Sequence, residues 1–324
     1  MDGQPLRPPA WAARAAEAAN RLASSRLART LVALAILAIA ALLIRRELQS
    51  ATLSEITHAI AATPPWALGL SVAFTVATYF SESVIEWCAL RVIGKPLPLG
   101  RTVLAASASS ALSIAMGFGL ASGTAARLRF YAFAKLSAAE VAKVTALVSG
   151  ALFVSGLIVL GLSGLGGLET IAAVLHWPSW SVAMLSFALM ALLPTWFLAL
   201  RRRRGRGARV LSPRVRLATL AGGAGDWMFQ GAALFVLSAH GLADFPGFLA
   251  AFCLGSLLGS ALGVPADLGV LEAAVLGSHA LGAAHQAAAA LVLFRVIFQL
   301  IPLILATLAM SLREVVNLIR RERD

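Results

Sequence analysis

Apolar residues fill this chain in long runs, interrupted by short clusters of arginine, glycine and proline. A helix needs about 20 predominantly apolar residues to cross a bilayer. Runs of that kind predict spans at roughly 29–45, 66–90, 137–164, 180–200, 215–239 and 286–311. Two further apolar stretches, 103–134 and 247–283, are rich in Gly, Ala and Ser and broken near the middle. The breaks fall at Gly117-Phe118-Gly119 and Ser122-Gly123-Thr124 in one, and at Gly263-Val264-Pro265 and Gly269 in the other. Irregular backbone at membrane depth is tolerated only where protein buries it or a cavity solvates it. Both stretches are therefore predicted to be re-entrant helical hairpins, each entering and leaving on one side. The expected fold class is an all-α polytopic membrane protein with about six spanning helices plus two re-entrant hairpins.

Three regions follow. Residues 1–28, with Arg7, Arg14, Arg21 and Arg26 among Pro5, Pro8 and Pro9, read as a basic cytoplasmic arm, with an interfacial helix from Trp11 onward. Residues 29–312 form the transmembrane domain, and 313–324 a charged cytoplasmic tail. The first apolar run, Thr30 to Ile44, ends in Arg45-Arg46-Glu47 with no small-residue cleavage site, so it is expected to be a retained helix.

Composition agrees with lipid as the solvent. Hydrophobic residues make up 59% of the chain and charged residues 13%, against about 25% charged in soluble domains. The formal charge of +12 then points to anionic lipid rather than nucleic acid. With the N-terminus in the cytoplasm, the arginine and lysine clusters at 91–101, 127–143, 201–216 and 313–323 all fall inside. Segments 165–179 and 240–285 carry no Lys or Arg and fall outside. Only Arg45 and Arg46 break the rule. Trp66, Trp177 and Trp180 lie near the expected outer boundary. This places the chain in a bacterial inner membrane with both termini cytoplasmic. Cys88 and Cys253 lie in apolar runs and read as buried thiols, and the five histidines lack ligand spacing, so neither metal nor cofactor is expected.

A weak internal repeat runs through the chain. Glu86-Trp87 recurs as Asp226-Trp227, and Gly119 and Leu136 recur at a nearly common offset as Gly263 and Leu281. The predicted topology gives the two copies opposite orientation, an arrangement used by transporters with a site at the repeat interface. Ionisable groups inside a bilayer cost about 2.5–3.5 kcal/mol on insertion scales, so those that persist are candidates for function. Asp226 lies mid-span. Arg295 lies in the last span, with Gln299 one turn on and Pro302 behind it. Glu82 and Glu86 share a helix face, Asp267 lies inside the second break, and Glu272 follows it. Arg127 and Arg129 follow the first, with Tyr131 one turn beyond Arg127. A lipid-binding set of Glu86, Arg127, Arg129, Tyr131, Asp226, Glu272 and Arg295 is expected. In it Arg127 and Arg295 offer planar paired donors to a phosphodiester, while Asp226, Glu86 and Glu272 hold a cationic group or balance the arginines. Arg295 is the expected partner of Asp226, with Arg127 or Arg129 next. The structural alternatives are that Arg127 and Arg129 are plain positive-inside anchors, that Glu86 is interfacial, and that Arg295 belongs to an ion pair that only fixes packing.

These segments resemble the transmembrane flippase region of the bacterial lysylphosphatidylglycerol synthetase/flippase family, the multiple peptide resistance factors. The resemblance covers about 65–312 and rests on three blocks. The first runs from Ala89-Leu90-Arg91-Val92-Ile93-Gly94-Lys95-Pro96-Leu97-Pro98 through Gly117-Phe118-Gly119, Arg127-Leu128-Arg129-Phe130-Tyr131 and Leu136-Ser137-Ala138-Ala139-Glu140. The second is Val264-Pro265-Ala266-Asp267-Leu268-Gly269-Val270-Leu271-Glu272, and the third is Phe294-Arg295 through Pro302. The chain departs from the family pattern at Thr124, Ala266 and Asp267, where glycines are usual, at Leu262-Gly263, where Ser-His is usual, and at Ile85-Glu86, where Tyr-Asp is usual. The family's C-terminal aminoacyl transferase is absent. The resemblance implies a stand-alone flippase for aminoacylated phosphatidylglycerol or a related lipid. Its partners would be membrane phospholipid, a separately encoded lipid-modifying enzyme and a second copy of the chain. A non-transporting module that anchors or regulates such an enzyme is the alternative. An intramembrane enzyme would need a nucleophile or metal site that the sequence does not offer.

Overall fold

The structure is a computed structural model that describes residues 53–116, 119–134, 136–195, 212–238, 245–278, 284–309 and 311–312. The basic arm, the first predicted span at 29–45, the arginine run at 201–211 and the tail at 313–324 lie outside the described residues. Every regular element among the described residues is helical: α1 (Leu53–Ala62), α2 (Pro65–Val92), α3 (Leu99–Met116), α4 (Gly119–Phe130), α5 (Ala138–Gly166), α6 (Leu168–Leu175), α7 (Ser179–Met190), α8 (Pro213–Phe235), α9 (Phe245–Ala261), α10 (Val270–Gly277) and α11 (Ala284–Phe294). The last continues through a π turn, Arg295–Leu300, and stays helical to Ala309.

The sequence punctuates these helices. Pro65 and Pro213 sit in the first turns of α2 and α8, where a missing N–H costs nothing. Ser137 accepts from the Glu140 N–H while the Glu140 carboxylate accepts from the Ser137 N–H, a capping box that starts α5. Helix α2 stops at Gly94, whose φ of 77° lets the Lys95 N–H close back on the Leu90 carbonyl. In α11, Pro302 has no N–H for the Phe298 carbonyl, and the neighbouring Ile301 N–H bonds back to Val296 in π register. The freed Phe298 carbonyl accepts from Tyr79 Oη at 3.1 Å, which ties α11 to α2.

Three helices, Pro65–Val92, Ala138–Gly166 and Ala287–Ala309, are long and apolar enough to cross a membrane. A fourth span results if α6 and α7, bent by 108° between Leu175 and Ser179, count as one. Their outer faces carry large apolar side chains in the open, among them Val76, Phe80, Trp180 and Phe187, a surface suited to lipid rather than water. The predicted breaks at 117–119 and 263–269 lie between pairs of helices packed on each other, α3 with α4 and α9 with α10; Ser122-Gly123-Thr124, expected as part of the first break, is instead helical within α4. In the second pair the chain turns through left-handed backbone at Gly263, Ala266, Asp267 and Gly269. Gly255 lets α10 approach so closely that an added Cβ would stand 2.9 Å from that of Ala274. In the first pair Gly119 is the opening residue of α4, while Gly117 and Phe118 lie outside the described residues.

The order helix, hairpin, helix thus occurs twice, as α2, α3/α4, α5 and as α8, α9/α10, α11. The leading helices α2 and α8 pack along each other in antiparallel sense. Ser71 Oγ donates to the Ala233 carbonyl, 2.8 Å away, and further along α2 Ser81 lies against Gly222 and Gly225. Behind them α5 runs beside α8, where the Trp227 indole donates to the Leu152 carbonyl at 2.8 Å and its ring lies over Gly156. A Cβ at Gly156 would stand 2.5 Å from that ring. Gly156→Ala should therefore lower stability by about 1–3 kcal/mol, read as a lower melting temperature in detergent; an unchanged midpoint would contradict this crossing. A file of aromatic rings, Phe248, Phe252, Phe294, Phe298 and Tyr79, spaced 5.0–6.2 Å apart, joins α9 and α11 to α2 and fills the centre of the core.

Candidate functional site

Polar side chains gather where α2 meets α3, α4, α8 and α11. One face of α2 buries Ser71, Thr75, Thr78, Tyr79, Glu82, Ser83 and Glu86. Most of the hydroxyls on it are satisfied within the helix, as Thr75 by the Ser71 carbonyl and Ser83 by that of Tyr79. The carboxylates only accept, so they cannot use the helix carbonyls and must find donors elsewhere.

Glu86, fully enclosed, finds them on the first hairpin. Arg127 of α4 donates from Nε to one carboxylate oxygen at 3.0 Å and from Nη2 to the other at 2.8 Å, and Tyr131 Oη donates to the first at 2.8 Å. Arg127 is 3% exposed. This is a bidentate, fully desolvated pair that clamps the end of α4 against α2. The fork that the sequence assigned to a phosphodiester is spent on Glu86. Its burial and its bidentate partner show that Arg127 is not a plain surface anchor. Arg129 is half-buried on the same helix.

Glu272 and Arg295 form the second pair. Glu272 accepts the Gly269 N–H at 2.6 Å with one oxygen, closing the first turn of α10, and Arg295 Nη2 with the other. Both side chains keep about a fifth of their surface open, so this pair is more solvated than the first. Arg295 therefore does not pair with Asp226, which corrects that expectation: the π turn at Arg295–Leu300 meets α10 on one side, while Asp226 lies on α8 facing α2.

Asp226 is 5% exposed and its Oδ1 has no hydrogen-bond partner among the described residues. Glu82, one turn before Glu86, is 7% exposed with an equally unpartnered Oε2. The two carboxylates interact electrostatically with each other and with Tyr79. Ser110 of α3 lies beside Glu82. Their approach follows from sequence: Gly222 and Gly225 on α8 let its backbone close on Ser81 of α2, which brings the residues beside them together. The Gln299 Oε1, on the π turn next to the Tyr79 acceptor Phe298, is a third buried acceptor without a partner.

Of the expected set, the structure joins Glu86, Arg127 and Tyr131 in one cluster and Glu272 with Arg295 in another. Asp226 stands apart from both arginines. The expected lipid-binding set omits Glu82, Tyr79, Ser110 and Gln299. Glu82, on one face with Glu86, and Gln299, one turn from Arg295, stand out in the sequence; Tyr79 and Ser110 carry no signal without the packing. Elsewhere, Arg91 stacks 3.3 Å over the Trp87 ring, and Lys95 reaches Glu140 at 3.4 Å to fasten the loop after α2 to the start of α5. No group of three or more metal-ligating side chains occurs among the described residues.

No family model matches the chain. Over 259 residues it is 30% identical to the uncharacterized protein slr0712 of Synechocystis sp., an alignment covering 78% of this chain and 80% of that protein.

Proposed function

The chain belongs to the family of the Synechocystis protein slr0712, and from the charge distribution at its centre we propose that it moves a phospholipid between the leaflets of a bacterial inner membrane. The observation that carries this reading is the pair of enclosed, uncompensated carboxylates, Glu82 and Asp226, at the junction of the two helix–hairpin–helix halves. Uncompensated charge at such depth is expensive, and acceptor-only oxygens suit a cationic headgroup. The substrate is an aminoacylated phosphatidylglycerol or a related lipid, as the resemblance to the multiple peptide resistance factors implies. Left-handed backbone at Ala266 and Asp267 supports that resemblance, because glycine, the usual residue there in that family, enters this region without steric cost.

The antiparallel contact of α2 with α8 supports reading the two halves as an inverted repeat, and alternating access would rock one half against the other. On this reading there are six spans and two re-entrant hairpins, with both termini cytoplasmic. Single-cysteine labelling should then mark 165–179 from outside and 205–210 only from inside; external labelling at 205–210 would contradict the topology. The substrate is tested by mass spectrometry of lipids retained by the purified protein. Enrichment of an aminoacylated or other amine-bearing phospholipid, lost in Asp226→Asn, is expected. A lipid profile equal to that of the bulk membrane would contradict it.

A further inference from the structure

The two halves differ in charge where they correspond in position. Glu86-Trp87 of α2 corresponds to Asp226-Trp227 of α8, and at the offset that takes Leu136 to Leu281, Arg127 falls on Glu272. In the first half the acid on the leading helix meets an arginine from the hairpin. In the second half the corresponding hairpin residue is itself an acid, and it takes its cation from Arg295 of α11. Among the described residues, this exchange of sign leaves Asp226 without a counter-charge.

The local balance can be counted. Among the described residues, the charged groups in electrostatic reach of Glu82 are Glu86, Arg127 and Asp226; Asp226 has Glu82 on α2 in reach, with the neutral Cys253 thiol of α9 beside it. Tyr79 on α2 faces both. Arg127 already answers Glu86 through two hydrogen bonds. Among the described residues, three enclosed carboxylates thus have one enclosed guanidinium, that of Arg127. The remaining polar atom without a partner near Tyr79, Gln299 Oε1 at 8% exposure, is also an acceptor. An enclosed centre in which carboxylates outnumber guanidinium groups among the described residues recruits small cations.

We propose that Glu82 and Asp226 form an exchange site, which holds a proton or an alkali cation whenever no cationic headgroup occupies the centre. This inference rests on the lipid-translocation reading for the identity of the displacing group. Lipid entry releases the small cation and lipid exit readmits it, so headgroup movement in one direction is coupled to cation movement in the other. The energy for net lipid movement then comes from a cation gradient, without nucleotide hydrolysis.

The test uses the full-length chain, delipidated in detergent, and infrared difference spectroscopy of carboxyl groups. If a proton is held, the neutral-pH spectrum contains a protonated-carboxyl stretch that disappears at alkaline pH. If sodium is held, replacing choline by sodium shifts the carboxylate stretch instead. Either signal should be halved in Glu82→Gln or Asp226→Asn, absent in the double variant, and intact in Glu272→Gln; the single variants serve if the double variant does not fold. Lysine methyl ester, a soluble mimic of an aminoacyl headgroup, should remove the signal from the wild-type protein. Absence of both signals, or their persistence with saturating ester, would overturn the exchange site. Neither readout depends on lipid movement, so a protein that retains lipid but shows no cation signal would sink this inference alone, and the reverse result would sink the translocation reading.

Discussion

Replacing Arg127 by leucine should be the most damaging single change in the described residues. It strips Glu86 of two hydrogen bonds and leaves an enclosed carboxylate with only the Tyr131 hydroxyl as donor. Breaking a buried pair from one side costs about 3–5 kcal/mol, whereas replacing both partners with apolar residues of similar volume is often close to neutral. The expected result is a protein that accumulates poorly or melts far below the wild type, with much of the loss recovered in Glu86→Leu/Arg127→Leu. Melting curves in detergent check both. If the single variant is as stable as the wild type, Arg127 is not the strut between the first hairpin and α2. The Glu272–Arg295 pair offers a contrast. Its side chains remain partly open, so Arg295→Gln should cost much less.

Asp226→Asn should have the opposite profile. The carboxylate has an unpartnered oxygen and an acidic neighbour, so removing its charge should leave the melting temperature unchanged or raise it. Lipid movement in reconstituted vesicles should fall at least about tenfold, equivalent to about 1.4 kcal/mol of lost interaction. The dissociation of stability from activity is the informative part. A variant that is both less stable and less active would mean that Asp226 fixes packing, and a stable, fully active one would remove it from the site.

The two predictions differ because of features the sequence shows only in part. Helix positions were legible: the apolar runs at 66–90 and 137–164 became α2 and α5 almost residue for residue, since length and apolarity alone decide what can span a bilayer. The break at Gly263–Gly269 was legible because glycine and proline interrupt an otherwise apolar run. Within the run at 180–200 the described residues form α7, bent by 108° from α6 across the turn at His176–Pro178. Partnership between charges was not legible. Glu86 and Arg127 are 41 positions apart, and their meeting depends on how far α4 rotates as it folds back on α2. Arg295 was matched to Asp226 because both lie in the second half, yet a hairpin arm carrying Glu272 comes between in chain order and reaches the arginine first. Glu82 shared a face with Glu86 and belonged with it; the glycines of α8 that draw Asp226 beside it read only as small residues until the crossing is seen.

The proposed activity is the movement of a lipid with a cationic headgroup across the bilayer. Its most direct test is a vesicle assay in which aminoacylated phosphatidylglycerol starts in the inner leaflet and its appearance outside is followed with an impermeant amine-reactive reagent. Vesicles holding the wild-type protein should expose the lipid well above the protein-free rate, and those holding Asp226→Asn should not. Exposure at the protein-free rate with correctly folded wild-type protein, for this lipid and for other amine-bearing phospholipids, would contradict the account.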